Sequence, residues 1–380
     1  MTRRILFIPF PETGHLNPSF KLAKTLRARG HEVLYASLPD WEGRVRGEGL
    51  GFVPLFEQTC PHGFIRRQAA ARHLDPVRAL IEHVAQATGG AAEPYIFQEV
   101  SKLLRLARPD LVLVDFILPP IALMVMKLKF PLLRLNVLLQ TPGDGIKPEY
   151  EPLTRVPELI LCPEEFDFPP SARPHPPGGR FYAEASIDLG REEPPFDLGR
   201  VDGRRKLLYC SLGSQNHLIQ KSRDFFRTVV EAMAPRPDWQ LILAAGSHLS
   251  ADDFAPLPPN VLVVESAPQL SILSKASAMI THGGIGSVKE CIFFGVPMVV
   301  FPAIRDQPNV AARVVYHKLG VKGNLAKVSV EHIHSLLEAV SDPLIKRRVE
   351  AMCRKFREVE DSGRGAQFVE RMLAGHAPRV

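Results

Sequence analysis

The chain has 380 residues, a length that suits two domains, each large enough to bury its own apolar core. Its 45% hydrophobic and 23% charged residues are ordinary for a soluble globular protein. The formal charge of +6 is spread along the chain, and no basic run reaches the five or six residues that mark a nucleic-acid-binding tail.

The first residues of the chain predict a β–α–β unit. Apolar residues 5–10 predict a strand, since this run is too short for a signal peptide, and a loop through His15 follows. Asn17 is the predicted N-cap of the next helix, with Pro18 at its first position, and a second strand is predicted over 33–36. This order implies parallel strands joined by a right-handed crossover.

In the middle of the chain, segments with helix and strand patterns are followed by a long segment without a regular hydrophobic pattern. Helical material is predicted between residues 75 and 106, before the apolar run Leu111–Val114, which is typical of a strand buried on both faces and ends at Asp115. The apolar stretch 121–139 is interrupted by charges and a proline, so we do not expect it to span a membrane. Residues 140–205 are rich in proline, glycine and charge, which predicts long loops and a domain boundary near 190–205.

Strand and helix patterns alternate again from residue 206, which predicts a second doubly wound α/β domain. The predicted strands are 206–211, 240–244, 261–264, 278–281 and 298–301. Helices are predicted over 225–233, directly behind the glycines at 283–286, over 310–319 and, as one or two charged helices, over 343–373.

The glycine-rich turn at 283–286 has the pattern of an anion site. Its glycines let a ligand approach the backbone, and the first free N–H groups of the helix behind it, with the positive end of its dipole, would face that ligand. We therefore expect a phosphorylated ligand, and a plain tight turn is the alternative. The turn has neither the P-loop pattern nor the third glycine of the dinucleotide fingerprint, so a dehydrogenase is not favoured.

The polar residues that follow predicted strands share one edge of each predicted sheet. In open parallel sheets this carboxyl edge forms the ligand crevice. Directly after strands come Asp115, residues 211–214, His282 and the pair Asp306-Gln307, and His15 lies in the loop after the first strand.

The turn and its helix resemble the donor-binding signature of the family 1 nucleotide-sugar glycosyltransferases, His-x-Gly-x-x-Ser-x-x-Glu. The defined positions of that signature are here His282, Gly284, Ser287 and Glu290. Three other segments match in family order: Ser211 to Ser214, Pro268-Gln269, and Gly295-Val296-Pro297 with Asp306-Gln307.

The resemblance, closest to bacterial natural-product members, implies the glycosyltransferase B (GT-B) fold, an α/β architecture of two doubly wound parallel-sheet, Rossmann-like domains facing each other across a cleft. It implies an acceptor-binding domain over 1–195 and a nucleotide-sugar-binding domain over 205–345. The helices over 346–380 are expected to cross back to the first domain.

The resemblance also implies a role for each matching residue. On the acceptor side, His15 would be the general base and Asp115 the buried carboxylate that orients it. On the donor side, Glu290 would accept hydrogen bonds from the ribose, and Asp306 with Gln307 would hold the hexose. The remaining donor-binding residues, which include those expected at the phosphates, are Gly213, Ser214, Gln269, His282, Gly284, Gly286 and Ser287.

The implied function is an inverting hexosyltransferase that moves a sugar, expected to be glucose, from a UDP-sugar to a hydroxyl of a lipophilic small molecule. No D-x-D occurs in the chain, so we expect no metal, with the helix N-terminus in the role of a divalent cation. The chain departs from the family at Ser266, where plant members stack a tryptophan on uracil, at Gly286, where plant members carry asparagine, and at Asn309-Val310. The sugar and the choice of uridine or thymidine therefore stay open.

The alternatives are a TDP-deoxysugar-dependent enzyme, a sugar-nucleotide epimerase, and a binding subunit without turnover. An oriented base, His15 with Asp115, argues against the binding subunit. The expected partners are the nucleotide sugar and the acceptor, without nucleic acid, in a monomer or weak homodimer. Five cysteines without a C-x-x-C pair fit a reducing cytoplasm.

Overall fold

The strands of the protein pair in parallel in both of its sheets, as far as the structure describes them. The structure is a computed structural model that describes residues 2–70, 76–139, 148–172, 176–213, 219 and 221–375. It divides into two compact units, one made of Met1–Cys162, Pro169–Ser186 and Ser362–Val380, and the other of Pro163–Phe168 and Ile187–Asp361.

The first unit contains a sheet of seven described strands in the order β3-β2-β1-β4-β5-β6-β7. These strands are β1 (Arg4–Ile8), β2 (Glu32–Ser37), β3 (Gly51–Pro54), β4 (Leu111–Asp115), β5 (Leu132–Asn136), β6 (Glu158–Ile160) and β7 (Arg180–Tyr182). Its helices before residue 130 are α1 (Thr13–Ala28), α2 (Glu42–Gly47), α3 (Phe64–Ala70), α4 (Pro76–Ala87), α5 (Ala92–Ala107) and α6 (Pro119–Lys127).

Both faces of the first sheet are covered, which explains the continuous apolar runs of its central strands. On β1, Leu6 and Ile8 pack into the core formed with α5 and α6, whereas Ile5 and Phe7 pack into the core formed with α1. Successive side chains of a strand point to opposite faces, so each face receives every second residue.

The second unit contains six described strands in the order β10-β9-β8-β11-β12-β13. They are β8 (Lys206–Ser211), β9 (Trp239–Ala244), β10 (Val261–Val264), β11 (Ala278–Thr281), β12 (Met298–Val300) and β13 (Gly320–Lys322). The helices of this unit are α7 (Ser222–Met233), α8 (Gln269–Leu273), α9 (Ile285–Phe294), α10 (Gln307–Tyr316), α11 (Val330–Val340) and α12 (Pro343–Glu360). Short 3-10 helices of the two units lie at Pro39–Trp41, Pro148–Arg155, Glu164–Phe166, Pro170–Ala172, Leu198–Arg200, Ala251–Phe254 and Leu325–Lys327.

The last helix, α13 (Arg364–Leu373), belongs to the first unit although it follows the second unit in the chain. Phe368 of α13 stacks on Phe181 with ring centroids 4.1 Å apart. The backbone N–H of Gly365 donates to a carboxylate oxygen of the buried Glu184 at 3.0 Å. An apolar contact and a buried polar contact therefore hold this helix in the core of the first unit.

The segment Pro163–Phe168 belongs to the second unit although the chain on either side of it belongs to the first. Its Asp167 accepts a hydrogen bond from Nε of Arg313 on α10 at 2.9 Å, and both side chains are fully buried. The Arg313 guanidinium also lies over the Phe168 ring, 4.6 Å from its centroid. Separating the two side chains would leave a buried charge without its partner, which is strongly destabilising, so this contact fixes the segment on α10.

Two predictions from the sequence are corrected by the structure. Helix α1 begins at Thr13 with Glu12 as its N-cap, so the predicted cap at Asn17 is wrong and Pro18 lies inside the helix. His15 is therefore in the first helical turn and not in a loop. The backbone N–H groups of His15 and Leu16 both donate to the Glu12 carbonyl at 3.0 Å, so the helix is formed ahead of Pro18. Pro18 has no N–H, so the helix lacks one hydrogen bond at this residue.

The second correction concerns residues 140–205, where the sequence predicted long loops. The three-residue strands β6 and β7 lie in this region and extend the first sheet beyond β5. Strands this short have no clear period of their own, and their conformation comes from pairing with a neighbouring strand. Within the described residues, no helix has the length and apolarity needed to cross a membrane.

Candidate functional site

The first group of predicted site residues lies where the strand order of the first sheet reverses. Strands β1 and β4 are neighbours there, and ligands of open α/β sheets bind beside the carboxyl ends of such strands. Asp115 is the last residue of β4, and His15 is in the first turn of the helix that follows β1. His15 Nδ1 and Asp115 Oδ2 are 2.8 Å apart, and both side chains are almost fully buried.

The Asp115 carboxylate is held by two backbone donors in addition to His15. The N–H of Phe10 donates to Oδ2 at 3.1 Å, and the N–H of Ile117 donates to Oδ1 at 3.2 Å. The Phe10 ring and the His15 imidazole pack in a T-shaped arrangement, with centroids 5.3 Å apart. A carboxylate only accepts hydrogen bonds, so the proton of a neutral His15 resides on Nδ1 and the basic lone pair on Nε2.

The second group of predicted residues lies at the corresponding reversal in the second sheet. Strands β8 and β11 are neighbours, with Ser211 in register with Thr281, so the loops after them run side by side. The His282 imidazole fills the space between Gly213 and Gly284. A Cβ on Gly213 would lie 2.6 Å from Cε1 of His282, and a Cβ on Gly284 would lie 2.5 Å from its Nε2.

The two glycines beside His282 are therefore required for steric reasons. Gly213 also has a φ of +81°, a backbone conformation that other residues rarely adopt. Desolvation by the surrounding chain lowers the pKa of His282 from 6.5 to about 4. His282 is thus neutral at neutral pH and can offer a ligand one N–H donor, but no positive charge.

Helix α9 presents its N-terminus at the same edge of the second sheet. Gly284 is its N-cap, and the first bond of the helix runs from Val288 N–H to the Gly284 carbonyl at 3.1 Å. No side chain among the described residues caps this end, and its first turn contains no acidic residue. A Cβ added to Gly286 would meet no atom of the described residues within 4 Å, so these residues leave open space in front of this turn. These features suit an anion.

Three further residues predicted to bind the nucleotide sugar, Gln269, Ser287 and Glu290, are joined by hydrogen bonds. The Gln269 amide donates to the Ser287 hydroxyl at 3.3 Å and to Oε2 of Glu290 at 2.6 Å. Glu290 is also paired with Arg191, whose Nη1 lies 2.5 Å from Oε1. The sequence did not predict Arg191. It lies in the irregular segment before β8, where a charged residue carries no sign of its partner.

The residues predicted to hold the hexose lie at the start of α10. Asp306 is the N-cap of this helix and Gln307 its first residue, and both are buried. The side-chain oxygen of Gln307 accepts hydrogen bonds from Ala303 and Ile304 N–H at 2.8 and 3.0 Å. Gln307 would therefore contact a sugar through its NH₂ group.

One predicted residue, Ser214, lies outside the described residues. In the part of the chain that the structure describes, no group of three or more His, Cys, Asp or Glu side chains could hold a metal ion. The roles assigned to the residues of both sites stay predictions.

The proteins to which this chain is similar are named as glycosyltransferases. Residues 200–358 match the family described as UDP-glucoronosyl and UDP-glucosyl transferase. NDP-glycosyltransferase YjiC of Bacillus subtilis is 26% identical over 97% of both chains. Oleandomycin glycosyltransferase of Streptomyces antibioticus is 26% identical over 96% of this chain and 90% of that protein. The crystal structure of the glycosyltransferase of kitacinnamycin superposes with a TM-score of 0.78 at 27% identity, over 98% of this chain and 100% of that one.

The lowered pKa of His282 predicts a pH-dependent stability. The unfolded chain binds a proton at His282 from about pH 6.5, whereas the folded protein binds it only near pH 4. Between these values the unfolded state holds more protons, so the free energy of unfolding falls as the pH falls, by at most about 1.4 kcal/mol per pH unit. We expect His282→Asn to reduce this dependence in urea unfolding between pH 7 and pH 4.5.

The matched control for this experiment is His62→Gln, because the His62 side chain is 67% exposed. It should keep the pH dependence of the unsubstituted protein. An equal slope of stability against pH in the His282→Asn protein would contradict the assignment of a half-buried, neutral imidazole.

Proposed function

Because the chain is a glycosyltransferase of the GT-B fold, we propose that it transfers a hexose from a nucleoside diphosphate sugar to a hydroxyl of a lipophilic natural product, with inversion. The observation that carries the proposal is the buried His15–Asp115 pair at the strand reversal of the first sheet. A subunit that only bound a sugar nucleotide would have no use for an oriented base.

His15 would act as the general base toward the acceptor. Its Nε2 takes the proton of the acceptor hydroxyl while that oxygen attacks the anomeric carbon, and the bond from this carbon to the diphosphate oxygen breaks. Asp115 keeps the imidazole in the required tautomer and stabilises the imidazolium that forms. One in-line displacement inverts the anomeric centre, so an α-linked donor gives a β-glycoside.

The N-terminus of α9 would hold the diphosphate of the donor. Its first N–H groups, the Ser287 hydroxyl and the neutral His282 supply donors to the phosphate oxygens, and Gly286 leaves room for a close approach. Negative charge develops on the leaving diphosphate, and fixed donors and the helix dipole stabilise it. Glu290 would accept a hydrogen bond from the ribose, and Asp306 and Gln307 would bind the hexose.

The names of the similar proteins support a natural product as the acceptor, since two of them are named for oleandomycin and kitacinnamycin. The match to the UDP-glucoronosyl and UDP-glucosyl transferase model supports a UDP-sugar, with glucose as the sugar that we propose. A TDP-deoxysugar is the second candidate donor, because YjiC is named for nucleoside diphosphates in general. Five free thiols support a reducing cytoplasm as the site of action.

Removing the base should abolish most of the turnover without weakening donor binding. We expect His15→Ala to lower kcat by about a hundredfold or more, because general-base catalysis contributes roughly 10²–10⁴-fold. Asp115→Asn should also be slow, because an amide cannot stabilise the imidazolium. Sugar transfer from UDP-glucose to a hydroxylated aromatic acceptor gives kcat, and calorimetry gives the affinity for UDP. Near-normal turnover in the His15→Ala protein would remove His15 from the mechanism.

The open space before Gly286 gives a test of the diphosphate position. Among the described residues nothing lies within 4 Å of a Cβ at Gly286, and a carboxylate in the first turn of a helix is stabilised by the helix dipole, so Gly286→Asp should fold. Its negative charge would repel the phosphates and should weaken UDP binding by roughly tenfold or more.

The control for Gly286→Asp is Gly286→Asn, which has nearly the same size, carries no charge and places at this position the asparagine of the plant members. It should leave UDP binding nearly unchanged. Unaltered UDP affinity in the Gly286→Asp protein would show that the diphosphate does not bind at the N-terminus of α9.

The proposed binding of the diphosphate by protein donors predicts that the reaction needs no divalent cation. Sugar transfer should proceed at the same rate in excess EDTA, because the helix N-terminus provides the positive potential that a metal would otherwise supply. Loss of activity in the chelator, with recovery on addition of Mg²⁺ or Mn²⁺, would contradict this description of the leaving-group site.

A further inference from the structure

Arg191 links the proposed ribose-binding carboxylate to the segment that precedes the second sheet. Its Nη1 donates to Oε1 of Glu290 at 2.5 Å, and its Nη2 donates to Oε2 at 3.3 Å. The two side chains are mostly buried, at 19% and 9% exposure. This two-point contact has the geometry that makes arginine a specific partner of a carboxylate.

Arg191 is itself held from a second side by Glu193. Nη2 of Arg191 lies 3.4 Å from Oε1 of Glu193. Glu193 in turn accepts hydrogen bonds from the backbone N–H groups of Leu270 and Ser271 at 2.8 and 3.2 Å, which ties it to α8. Burial alone would lower the pKa of Arg191, but the charges of Glu290 and Glu193 outweigh it and raise that pKa. Arg191 is therefore a fixed cation in this group.

The hydrogen bonds to Glu290 limit what this carboxylate can still accept. A carboxylate has about four lone-pair positions. Arg191 uses one on each oxygen, and the Gln269 amide uses the second on Oε2 at 2.6 Å. Among the described residues these are the donors to Glu290, so one position remains, on Oε1. With Arg191 in place, Glu290 can accept from one hydroxyl of a ribose and not from two.

We propose that Arg191 is a specificity-determining residue that makes the nucleotide site indifferent to the ribose 2′-hydroxyl, so that ribonucleoside and 2′-deoxyribonucleoside diphosphate sugars bind equally well. The inference rests on the proposed function, in which Glu290 faces the ribose. A ribose presents two neighbouring hydroxyls, and a carboxylate with both oxygens available would bind both and favour the ribonucleotide. The 3′-hydroxyl, which both kinds of nucleotide carry, takes the single remaining position.

The probes for the test are UDP and 2′-deoxy-UDP, which differ only in the 2′-hydroxyl. Calorimetry on the unsubstituted protein should give dissociation constants within about threefold of each other, because no acceptor at Glu290 is left for the second hydroxyl. Arg191→Met releases the two lone-pair positions of Glu290 that Arg191 occupies, in addition to the one that was already open. The preference for UDP over 2′-deoxy-UDP should therefore rise to about tenfold or more. In Arg191→Lys, the single ammonium group cannot contact both carboxylate oxygens as the guanidinium does, so the ratio of the two dissociation constants should be intermediate.

The matched control is Arg200→Met, because Arg200 is an exposed arginine of the same unit. It should leave the ratio of the two dissociation constants unchanged. The ratio also separates a specificity role from a structural one, since a general loosening of the site would weaken both nucleotides alike.

Two results would overturn the inference while the donor site stands. One is a tenfold or greater preference for UDP in the unsubstituted protein, which would mean that the nucleotide displaces Arg191 from Glu290. The other is an equal loss of both affinities in Arg191→Met with an unchanged ratio. Failure of Glu290→Ala to weaken UDP binding would instead contradict the proposed donor site itself, and the inference with it.

Discussion

The parallel pairing of two central strands in each sheet is the constraint on which the rest of the structure depends. Parallel strands end at the same edge, and at a reversal of strand order the loops after two neighbouring strands leave a crevice between them. In the first sheet this edge joins His15 to Asp115, which are 100 residues apart in the chain. In the second sheet it places Gly213 against His282. Each site is thus built from residues that are distant in sequence.

The ionisable groups at these edges are controlled by burial and by specific partners. His282 is kept neutral by desolvation, so the helix N-terminus beside it supplies the positive potential for an anion. Two backbone N–H groups hold the Asp115 carboxylate beside His15. Glu290 accepts hydrogen bonds from the side chains of Arg191 and Gln269. Specific partners thus fix the position of both carboxylates.

Strands β8, β10 and β11 have the predicted bounds. In β8 and β11, apolar residues on both faces give an unbroken run that ends at a polar residue or a glycine turn. Strands β3, β5, β6, β7 and β13 were not predicted. Strands β6, β7 and β13 have only three residues each, whereas the equally short β12 was predicted because its apolar run continues to Phe301. The start of α1 was misplaced by five residues, from Glu12 to Asn17, because the capping preference of Asn17 was outweighed by the backbone hydrogen bonds to the Glu12 carbonyl.

The sequence by itself determined the fold class and the chemical identity of the residues at each strand end, because hydrophobic period and the His-x-Gly-x-x-Ser-x-x-Glu spacing are local properties of the chain. Only the tertiary structure decided which of these residues touch. The contact of His15 with Asp115 depends on the register of β1 with β4, and the pairing of Glu290 with Arg191 joins residues 99 positions apart. A charged residue in an irregular segment gives no sign of its partner, because side-chain pairing is set by the packing of the whole unit and not by the neighbouring sequence.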